Sequence, residues 1–445
     1  MHQQQGGSVT MDADDGQANV DDASNQESIG ASETTSGLSS GAATGSSSGP
    51  PTGSSVGSSA GLSRGASSGS SANASSGTSV GSDAGLPANA HVAVIGAGLS
   101  GLVAAEQLIA AGCRVTVLEK SRGAGGRAAT RYAGPWHFDH GMQYFTARSP
   151  AFRGQVAAWV DAGCCSAWTP RAVTIAAPGA VPVPLDPREP WYVGQPSNNA
   201  MCKHIVDAQS PESLVFVRGI RVGAVHPADG GGPSLEIESW PEDAEARAAA
   251  ESAIAEGFDA IVVSVPAPQV PGLLAPCDGL ADCADGVAIR PCWAAMYAFD
   301  APLDVPWDAA AVDAGPVSWI ARNSSRPGRA VAPGGETWVL HGSPAWSARH
   351  LELDRDDIDR ILWSHFEGMT VGTTGALEAA HRSVHRWRYS LVTEPSGRSH
   401  RWNADLRVGV CGDWCLAGRF EAAFTSARSL ANAMTMAASS TGGTA

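Results

Sequence analysis

The pattern of apolar and polar positions divides the chain near residue 89. Residues 1–88 are mainly Ser, Gly, Ala, Thr and Asp; they contain no Phe, Trp or Tyr, and Arg64 is their only Lys or Arg. A segment of this kind buries too little apolar surface to offset the entropy that ordering it would cost. We therefore predict a disordered Ser/Gly-rich tail over 1–88, followed by the folded part of the chain.

The folded part begins with a change of periodicity over 91–120, HVAVIGAGLSGLVAAEQLIAAGCRVTVLEK. Two short apolar runs, 91–95 and 114–118, predict buried strands. The run rich in Ala and Leu over 102–111 predicts a helix that Gly112 ends, and a tight glycine turn separates this helix from the first strand. The strand–helix–strand order predicts a β-α-β unit with both strands in one sheet.

The rest of the chain carries apolar runs of both periods. Strands are predicted over 214–227, 233–240, 258–268, 291–300, 336–344 and the start of 406–415, the first two as parts of a meander, and helices over 241–256, 351–369 and 420–438. The helix over 351–369 is amphipathic, because its apolar residues share one face: Ile358, Ile361, Leu362 and Phe366. Together these elements favour an α/β fold.

Composition and charge exclude several classes of partner. The net charge of −15 argues against nucleic acid and anionic membranes. No stretch is apolar over the roughly 18 residues that a membrane span needs, and the N-terminus lacks the basic and apolar regions of a signal peptide. The nine cysteines show no zinc-like or thioredoxin-like spacing, which favours small buried thiols in a reduced cytoplasm. We expect a cytoplasmic protein that acts on a small molecule.

The first motif with chemical meaning is the glycine turn GAGLSG over 96–101. Gly96 permits the tight turn, Gly98 lets the backbone approach a pyrophosphate, and Gly101 lets the helix and strand pack closely. The helix N-terminus stabilises phosphate charge. Glu119, 18 residues beyond Gly101, can accept hydrogen bonds from an adenosine ribose that carries no 2′-phosphate. The turn therefore predicts a dinucleotide site.

A second glycine loop, GAGGRAATR (123–131), follows almost at once. Its paired glycines, which include Gly126, can wrap over the same pyrophosphate, and Arg127 can supply the countercharge. Rossmann domains that bind only NAD do not need this element, so it indicates FAD. The alternative is a flexible surface loop.

The segment WHFDHGMQYFTAR (136–148) concentrates polar groups between aromatic residues. The functional interpretation is a loop near the flavin ring, with Gln143 as a cofactor contact and His140 as a catalytic residue. The alternative for His140 is a structural histidine with satisfied hydrogen bonds, and both interpretations remain open.

The segment GVCGDWCLAGRFEAAFTSAR (409–428) resembles the late strand that delivers a Gly-Asp pair to the ribityl and phosphate region in FAD enzymes. Gly412 permits close approach, and the Asp413 carboxylate can accept a ribityl hydroxyl. The start of the next helix, near Ala423 and Phe424, can stabilise negative charge at flavin N1 and O2. The flanking cysteines, Cys411 and Cys415, fit no common metal motif and are expected to be packing residues; a thioether-linked flavin is the alternative.

Together these motifs resemble the renalase-like group of the flavin-dependent amine oxidase superfamily. The matching pieces, all within 91–438, are VAVIGAGLSG, GAGGRAATR, FDHGMQYFTAR, FDAIVVSVPAP, HRWRYSLV and CGDWCLAGRFEAAFTSAR. The resemblance implies non-covalent FAD in a two-lobed fold of the p-hydroxybenzoate hydroxylase type. It also implies oxidation of a dihydronicotinamide nucleotide, such as a 2- or 6-dihydro isomer of NAD(P)H, by hydride transfer to flavin N5, with reoxidation by O2 to H2O2.

We therefore predict a Rossmann-type FAD-binding domain of the p-hydroxybenzoate hydroxylase and amine oxidase type, with a second α+β substrate domain. The folded part exceeds the size of one compact core, which also favours two domains. The predicted FAD-binding domain is discontinuous and covers 89–150, 195–268 and 385–440, and the predicted substrate domain covers 151–194 and 269–384.

The two lysines of the chain bear on the substrate. Many amine oxidases place a lysine, through a water, against flavin N5, but Lys120 ends the second strand and Lys203 lies in a predicted helix under the adenosine half. Hydride transfer from a dihydronicotinamide needs a flat, dry slot instead of a base. Candidate walls, most of them expected to be ordinary core residues, are Trp136, Trp293, Trp319, Trp387 and Trp414.

The predicted catalytic residues are His140, Trp387 and Arg388. Arg386 and Arg388 could hold substrate phosphates or the flavin edge, or lie at the surface as solvated charges. Lys120 and Val222 complete the predicted cofactor contacts. Two other functions remain open: an amine oxidase or desaturase-like flavoenzyme on the same fold, and a protein that binds FAD without turnover.

Overall fold

The computed structural model of the chain describes residues 85–227, 232–329, 334–374 and 377–436. The tail predicted over 1–88 lies outside these residues as far as residue 84. Its last residues belong to the fold, because the backbone N–H of Leu86 donates to the carbonyl oxygen of Met434 at 2.8 Å.

The described residues form both strands and helices, and many strands follow one another without an intervening α-helix. The strands are β1 (His91–Ile95), β2 (Arg114–Glu119), β3 (Arg131–Ala133), β4 (Trp136–Phe138), β5 (Cys165–Trp168), β6 (Ala172–Ile175), β7 (Val183–Pro184), β8 (Trp191–Gly194), β9 (Leu214–Arg218), β10 (Arg221–His226), β11 (Ser234–Ser239), β12 (Ala260–Val263), β13 (Ala288–Phe299), β14 (Ala309–Val312), β15 (Val317–Arg322), β16 (Glu336–Gly342), β17 (His381–Glu394), β18 (Arg401–Asn403) and β19 (Val408–Val410). The helices are α1 (Leu99–Ala110), α2 (Pro150–Asp161), α3 (Ala200–Asp207), α4 (Ala244–Glu256), α5 (Val270–Leu273), α6 (Pro344–Arg349), α7 (Arg355–Thr374) and α8 (Phe420–Thr435).

The first large sheet has six strands in the order β18-β19-β12-β1-β2-β9. Its strands are parallel except for β18, which runs antiparallel to β19. Every residue of β1 is buried, as expected for a parallel strand covered on both faces. Alternate residues face opposite sides: Val94 packs in one apolar cluster with α1 and α8, and Ile95 packs in another with α5. This confirms the predicted β-α-β unit and α/β class.

The second large sheet has seven strands in the order β17-β13-β16-β15-β14-β6-β7. Its pairs are antiparallel except β14 with β6. Helix α7 covers this sheet with Ile358, Leu362 and Phe366, which are fully buried beside Trp338. The helix begins four residues later than predicted because the Asp354 carboxylate accepts the backbone N–H of residue 356 at 2.8 Å and so caps it.

The predicted meander over 214–240 needs a correction. β9 pairs in parallel with β2 and ends the six-stranded sheet, whereas β10 and β11 form a separate antiparallel hairpin. The short segment between β9 and β10 turns at Gly219, whose φ of +74° suits glycine. Local alternation predicted these strands but could not distinguish a change of sheet from a continuing meander.

The strands of each large sheet fall largely within the residue ranges predicted for one domain. The six strands of the first sheet all fall in ranges assigned to the FAD-binding domain. Those of the second sheet fall in ranges assigned to the substrate domain, except that β17 crosses the boundary predicted after residue 384. The division into domains stays a prediction.

None of the helices in the described part of the chain combines the length and the apolar composition that crossing a membrane requires.

Candidate functional site

The carboxyl ends of the parallel strands meet at one edge of the six-stranded sheet. Gly96, which follows β1, donates its N–H to the carbonyl oxygen of Leu118 in β2 at 2.9 Å. On the other side, Ser264 after β12 donates to Ile95 at 2.8 Å, and Cys411 after β19 donates to the carbonyl oxygen of residue 263 at 3.1 Å. Ligands of open parallel sheets bind at such an edge, so the candidate site is built from here.

The three glycines of the turn have different surroundings. Gly96 has a φ of +102°, and a Cβ there would lie 2.5 Å from the carbonyl oxygen of Ser264. A Cβ on Gly101 would lie 2.0 Å from the carbonyl oxygen of Gly96. A Cβ on Gly98 would meet no atom within 4 Å, and Gly98 precedes α1 without any side-chain cap. Open space at an uncapped helix N-terminus is what a phosphate group requires.

The Glu119 carboxylate closes this turn. Its Oε2 accepts the N–H of Ala97 at 2.7 Å, and its Oε1 accepts the N–H of Ser121 at 2.8 Å. The residue is 7% exposed. Each carboxylate oxygen has a second lone pair, so a ribose hydroxyl can still be accepted. Lys120, the next residue, is exposed at the end of β2.

The second glycine loop lies directly against the first. The N–H of Gly125 donates to the carbonyl oxygen of Ala97 at 2.9 Å, and Gly126, with a φ of +53°, would place a Cβ 3.2 Å from Cα of Gly98. The two loops therefore border the same open space beside Gly98. This contact argues against the alternative of a flexible surface loop.

Arg127 joins this loop to the last part of the chain. Its Nη2 lies 2.5 Å from Oδ1 of Asp413, and its Nη1 donates to the carbonyl oxygen of Ser390 at 3.0 Å. Arg127 and Asp413 are 286 residues apart in sequence. The structure thus brings two predicted cofactor residues into one ion pair.

A bulge in β17 makes the Ser390 contact possible. Trp387 pairs with Cys292 and Leu391 with Arg290, so three residues of β17 face the single residue Pro291 of β13. Proline has no N–H for the ladder. The ladder is interrupted there, and the Ser390 carbonyl is available to Arg127.

The structure supports the interpretation of the cysteines near Asp413 as packing residues. Both Cys411 and Cys415 are buried free thiols. Burial raises the pKa of the Cys411 thiol to about 11 and also raises that of Cys415, which disfavours the reactive thiolates. Within the residues that the structure describes, no group of His, Cys, Asp and Glu could hold a metal ion.

Residues in the first turns of α8 pack into an apolar cluster that includes α2. Phe424 is 3% exposed and its ring lies 5.1 Å from that of Phe152 in α2. Ala423 is buried in the same apolar cluster. The helix begins at Phe420 without a side-chain cap, so its first N–H groups are suited to negative charge. The predicted roles of Ala423 and Phe424 toward the flavin stay predictions.

Asp139 forms a fully buried charge cluster with two arginines. Its Oδ2 accepts Arg326 Nη1 at 3.0 Å and Arg329 Nε at 2.7 Å, and all three side chains are 0% exposed. Its Oδ1 accepts the Thr130 hydroxyl at 2.5 Å and the Asn198 N–H at 3.1 Å. Burial opposes the charged form, but the two guanidiniums outweigh it and lower the pKa of Asp139. Asp139 is therefore ionised and saturated with donors.

Gln143 is held by the same cluster. Its Oε1 accepts Arg326 Nη2 at 2.6 Å and Trp319 Nε1 at 3.2 Å, while its Nε2 donates to the carbonyl oxygens of Asp139 and Gly141 at 2.8 and 3.0 Å. The amide thus fixes the loop 139–143 in one orientation. Its role as a cofactor contact stays a prediction.

His140 lies between β16 and β17. Its carbonyl oxygen accepts His341 Nε2 at 3.0 Å and Trp387 Nε1 at 3.1 Å. Its ring stacks on Trp387 with centroids 5.1 Å apart and meets His385 edge-on at 4.7 Å. The residue is 5% exposed, and Nδ1 has no hydrogen-bond partner among the described residues. The structure thus brings together two of the three predicted catalytic residues, His140 and Trp387.

The three histidines of this region are neutral near pH 7. Burial lowers the pKa of His140 and of His341 to about 4, and that of His385 to about 3. The positive charge of Arg131 adds to the shift at His140 and His385. None of them is a cationic acid at physiological pH.

These shifts predict an acid-dependent loss of stability. The unfolded state takes up protons at the ordinary histidine pKa of about 6.5, whereas the folded state resists them until about pH 4. The stabilisation is therefore complete above the unfolded value and is lost as pH falls through this window. Urea unfolding should give a smaller free energy at pH 5 than at pH 7, and His341→Gln should reduce the difference. Equal values at both pH values would contradict the buried neutral state.

Arg388 lies on the opposite face of β17 from Trp387. Adjacent strand residues point to opposite faces, and Arg388 is exposed and bound to Glu352 at 2.6 Å, together with Arg386 at 2.8 Å. The structure does not bring Arg388 to the His140–Trp387 pair. Its predicted catalytic role stays a prediction.

Several other predicted residues lie away from this pair. Val222 is buried in the β10–β11 hairpin. Lys203 is exposed on α3, with its Nζ 3.5 Å from the Tyr132 hydroxyl. Of the candidate tryptophans, the ones that are at least nine-tenths buried in apolar clusters are Trp136, Trp293 and Trp414. Trp319, in contrast, is half-buried and donates to Gln143.

The sequence interpretation missed Arg326, Arg329, His341 and His385. The two arginines occur in NSSRPGR (323–329), which matches no motif, and reach Asp139 only because β15 ends beside the 139–143 loop. His385 lies two residues before Trp387 in HRWRYSLV (385–392). On a strand this spacing places both side chains on the same face, and that was the available signal for His385.

Known proteins share parts of this sequence. Residues 94–159 match the family model for the NAD(P)-binding Rossmann-like domain, which covers both glycine loops. Over 56 residues, 13% of this chain, the sequence is 48% identical to the phytoene dehydrogenase of Streptomyces griseus, and the match covers 11% of that enzyme. The curated relatives are thus matched over about a tenth of their length.

Solved structures match over most of the chain. A protein from Exiguobacterium sp. 255-15, provisionally assigned as a protoporphyrinogen oxidase, aligns with a TM-score of 0.61 and 12% identity, covering 78% of this chain and 99% of that one. Cyclohexylamine oxidase from Brevibacterium oxydans IH-35A aligns with a TM-score of 0.59 and 12% identity, with the same coverage. At such identities the likeness shows the fold alone. The chain therefore has the fold of these solved structures, and residues 94–159 match the NAD(P)-binding Rossmann-like domain.

Proposed function

We propose that the protein is an FAD-dependent oxidoreductase that holds its cofactor non-covalently at the carboxyl edge of the six-stranded sheet. The open space beside Gly98, bordered by two glycine loops and the N-terminus of α1, supports this most directly. Gly96, Gly98 and Gly101 would hold the pyrophosphate, and Glu119 the adenosine ribose. Arg127 and Asp413 would contact the middle of the cofactor. A covalent link through Cys411 is disfavoured, because burial raises the pKa of its thiol.

The substrate we propose is a dihydronicotinamide nucleotide, as the resemblance to the renalase-like group implies. Bound FAD would supply the hydride acceptor, and O2 would serve as the oxidant that is reduced to H2O2. A dihydronicotinamide becomes an aromatic cation when it loses a hydride, so it needs no base to remove a proton. The chain must therefore supply a flat surface and exclude water.

The residues around the 139–143 loop suit such a donor. Trp387 offers a partly exposed ring, and its N–H bond to His140 fixes the ring plane. His140 is neutral and Asp139 is saturated with donors, so neither attracts a cationic substrate. Both lysines of the chain lie elsewhere, on the surface.

Amine oxidation is the second candidate, and the fold shared with cyclohexylamine oxidase favours it. An amine must bind as, or be converted to, the neutral form before hydride loss. The placement of Lys120 and Lys203 removes the residue that many amine oxidases use near the flavin. The lysine positions therefore favour a dihydronicotinamide over an amine as the substrate.

Anaerobic stopped-flow mixing tests the proposal. The purified yellow protein should lose its flavin absorbance when mixed with equilibrated NADH that contains minor isomers, with an amplitude limited to a small fraction of the dinucleotide. A panel of amines should leave the band unchanged. Bleaching by an amine alone would identify the protein as an amine oxidase. Bleaching by neither NADH isomers nor amines would indicate a protein that binds FAD without this turnover.

We also place the protein in the cytoplasm. All nine cysteines are free, and burial keeps eight of them from solvent. A reducing compartment maintains such thiols.

A further inference from the structure

His341 on β16 lies on the face of the seven-stranded sheet that carries Trp387. It pairs directly with Trp319 of β15 and with Ala294 of β13. Ala294 pairs in turn with His385 of β17. Directly opposed residues of a sheet share a face, and residues two apart on one strand do so as well, which adds Trp387. His341 therefore lies on the same surface as the residues that form the proposed substrate site.

Hydrogen bonds connect His341 with the proposed cofactor contacts. Its Nε2 and the Trp387 Nε1 both bond to the His140 carbonyl oxygen, at 3.0 and 3.1 Å, so the two nitrogens are at most about 6 Å apart. The loop that supplies this oxygen also donates the Met142 N–H to the carbonyl oxygen of Arg127 at 2.8 Å. One short loop thus holds His341 and Trp387 close to Arg127, which would contact the middle of the cofactor.

The hydrogen bonds also determine which His341 nitrogen carries the proton. Gln143 Nε2 lies 3.1 Å from His341 Nε2, but both of its protons are donated to backbone carbonyl oxygens of its own loop, at 2.8 and 3.0 Å. A bare Nε2 would therefore set its lone pair against that of the His140 carbonyl oxygen. Nε2 carries the proton instead. Burial and the charge of Arg326 keep the ring neutral by lowering its pKa to about 4, so Nδ1 is a bare acceptor.

The Nδ1 atom of His341 is an acceptor without a protein partner. Among the described residues no group donates to it, and the half-buried ring leaves the atom in contact with solvent. Trp319 beside it is also half-buried, and its N–H is committed to Gln143 at 3.2 Å, so Trp319 offers only an apolar ring surface. A partly desolvated acceptor next to a flat apolar wall favours a planar ligand that brings a hydrogen-bond donor.

We propose that His341 is a specificity-determining residue whose Nδ1 accepts a hydrogen bond from the carboxamide N–H of the substrate's nicotinamide ring. This contact rests on the proposed function, in which the substrate is a dihydronicotinamide nucleotide. The carboxamide is attached to a single ring carbon, so holding it at His341 beside the Trp319 wall fixes the rotation of the ring in its plane. That rotation decides which ring carbon is presented for hydride loss, and so which dihydro isomer reacts.

Nucleotide binding to the FAD-bound protein tests the contact directly. In the 3-acetylpyridine analogue of NAD⁺, a methyl group replaces the carboxamide NH2 and removes the donor. Calorimetry should show that the wild type binds NAD⁺ about fivefold more tightly than the analogue, the effect of one hydrogen bond. His341→Gln should abolish this preference, because glutamine keeps an N–H for the His140 carbonyl oxygen but places no acceptor at the Nδ1 position. The matched control is His226→Gln on the β10–β11 hairpin, where the ring binds Glu236, and it should keep the preference.

His341→Asn separates the contact from a purely structural role. Asparagine can present its Oδ1 at the Nδ1 position but cannot donate to the His140 carbonyl oxygen. This variant should unfold at lower urea and still prefer NAD⁺. Anaerobic stopped-flow with the separate 2- and 6-dihydro isomers gives a second readout: the ratio of their flavin reduction rates should move toward one in His341→Gln and stay unchanged in His226→Gln.

The outcomes distinguish this contact from the proposed function. A preference for NAD⁺ that His341→Gln abolishes, without bleaching by any dihydronicotinamide, would retain the contact and overturn the proposed substrate. Bleaching by dihydronicotinamides, with the same nucleotide preference and isomer ratio in His341→Gln as in the wild type, would retain the substrate and overturn the contact. Equal weakening of both nucleotides in His341→Gln would also overturn it, because His341 would then only support the fold.

Discussion

Gly98→Val should give a folded protein without flavin. The position tolerates a side chain in the apoprotein, because a Cβ there meets no atom within 4 Å and the backbone φ of −73° is available to any residue. The same side chain would occupy the space at the N-terminus of α1 where a pyrophosphate must approach. Purified Gly98→Val should therefore lose at least about nine-tenths of its bound flavin, since the lost phosphate contacts exceed the roughly 1.4 kcal/mol of a tenfold change.

Two other glycines provide the controls for this experiment. Gly154→Val adds the same side chain in α2, where a Cβ also meets no atom within 4 Å, and should keep the flavin. Gly101→Val should instead fail to fold, because its Cβ would lie 2.0 Å from the carbonyl oxygen of Gly96. Circular dichroism and the ratio of flavin to protein absorbance measure both properties. A yellow Gly98→Val protein would show that the cofactor does not lie in this turn.

Asp139→Asn should strongly destabilise the fold. The substitution keeps the shape of the side chain but leaves Arg326 and Arg329 fully buried without their carboxylate. Breaking a buried ion pair in this way costs about 3–5 kcal/mol, a large part of the stability of most domains. Chemical denaturation should show this loss, and Gln143, held by Arg326, should lose its fixed orientation.

The matched control is Asp308→Asn. Asp308 also binds two arginines, Arg171 and Arg322, but its side chain is 13% exposed and that of Arg171 is 59% exposed. Solvent screens the Arg171 pair, and Arg322 keeps a second carboxylate partner, Glu336, at 3.0 Å. The expected loss is therefore smaller, about 1 kcal/mol. Equal losses for Asp139→Asn and Asp308→Asn would contradict the buried charge cluster. The pH dependence is also distinct: the folded pKa of Asp139 is lowered, so its stabilisation persists above about pH 3.9 and disappears only in stronger acid.

The glycine turn and Glu119 could be predicted from the sequence because their contacts lie within one strand–helix–strand segment. Gly96, Gly98 and Gly101 act within one strand–turn–helix segment, and Glu119 reaches Ala97 from the end of the neighbouring strand. Backbone sterics and apolar periodicity govern such segments. The predicted strands around the turn therefore agree with β1 and β2, and α1 begins only three residues before its predicted start.

The sequence by itself thus determined the class of fold, the glycine turn and the segments that contribute to the site. Only the tertiary structure decided which side chains meet: Arg127 with Asp413, Asp139 with Arg326 and Arg329. It also turned Arg388 away from Trp387, although the two are adjacent in sequence. The physical reason is that these contacts depend on the register of β17, its bulge opposite Pro291 and the meeting of distant loops, none of which is encoded by local periodicity.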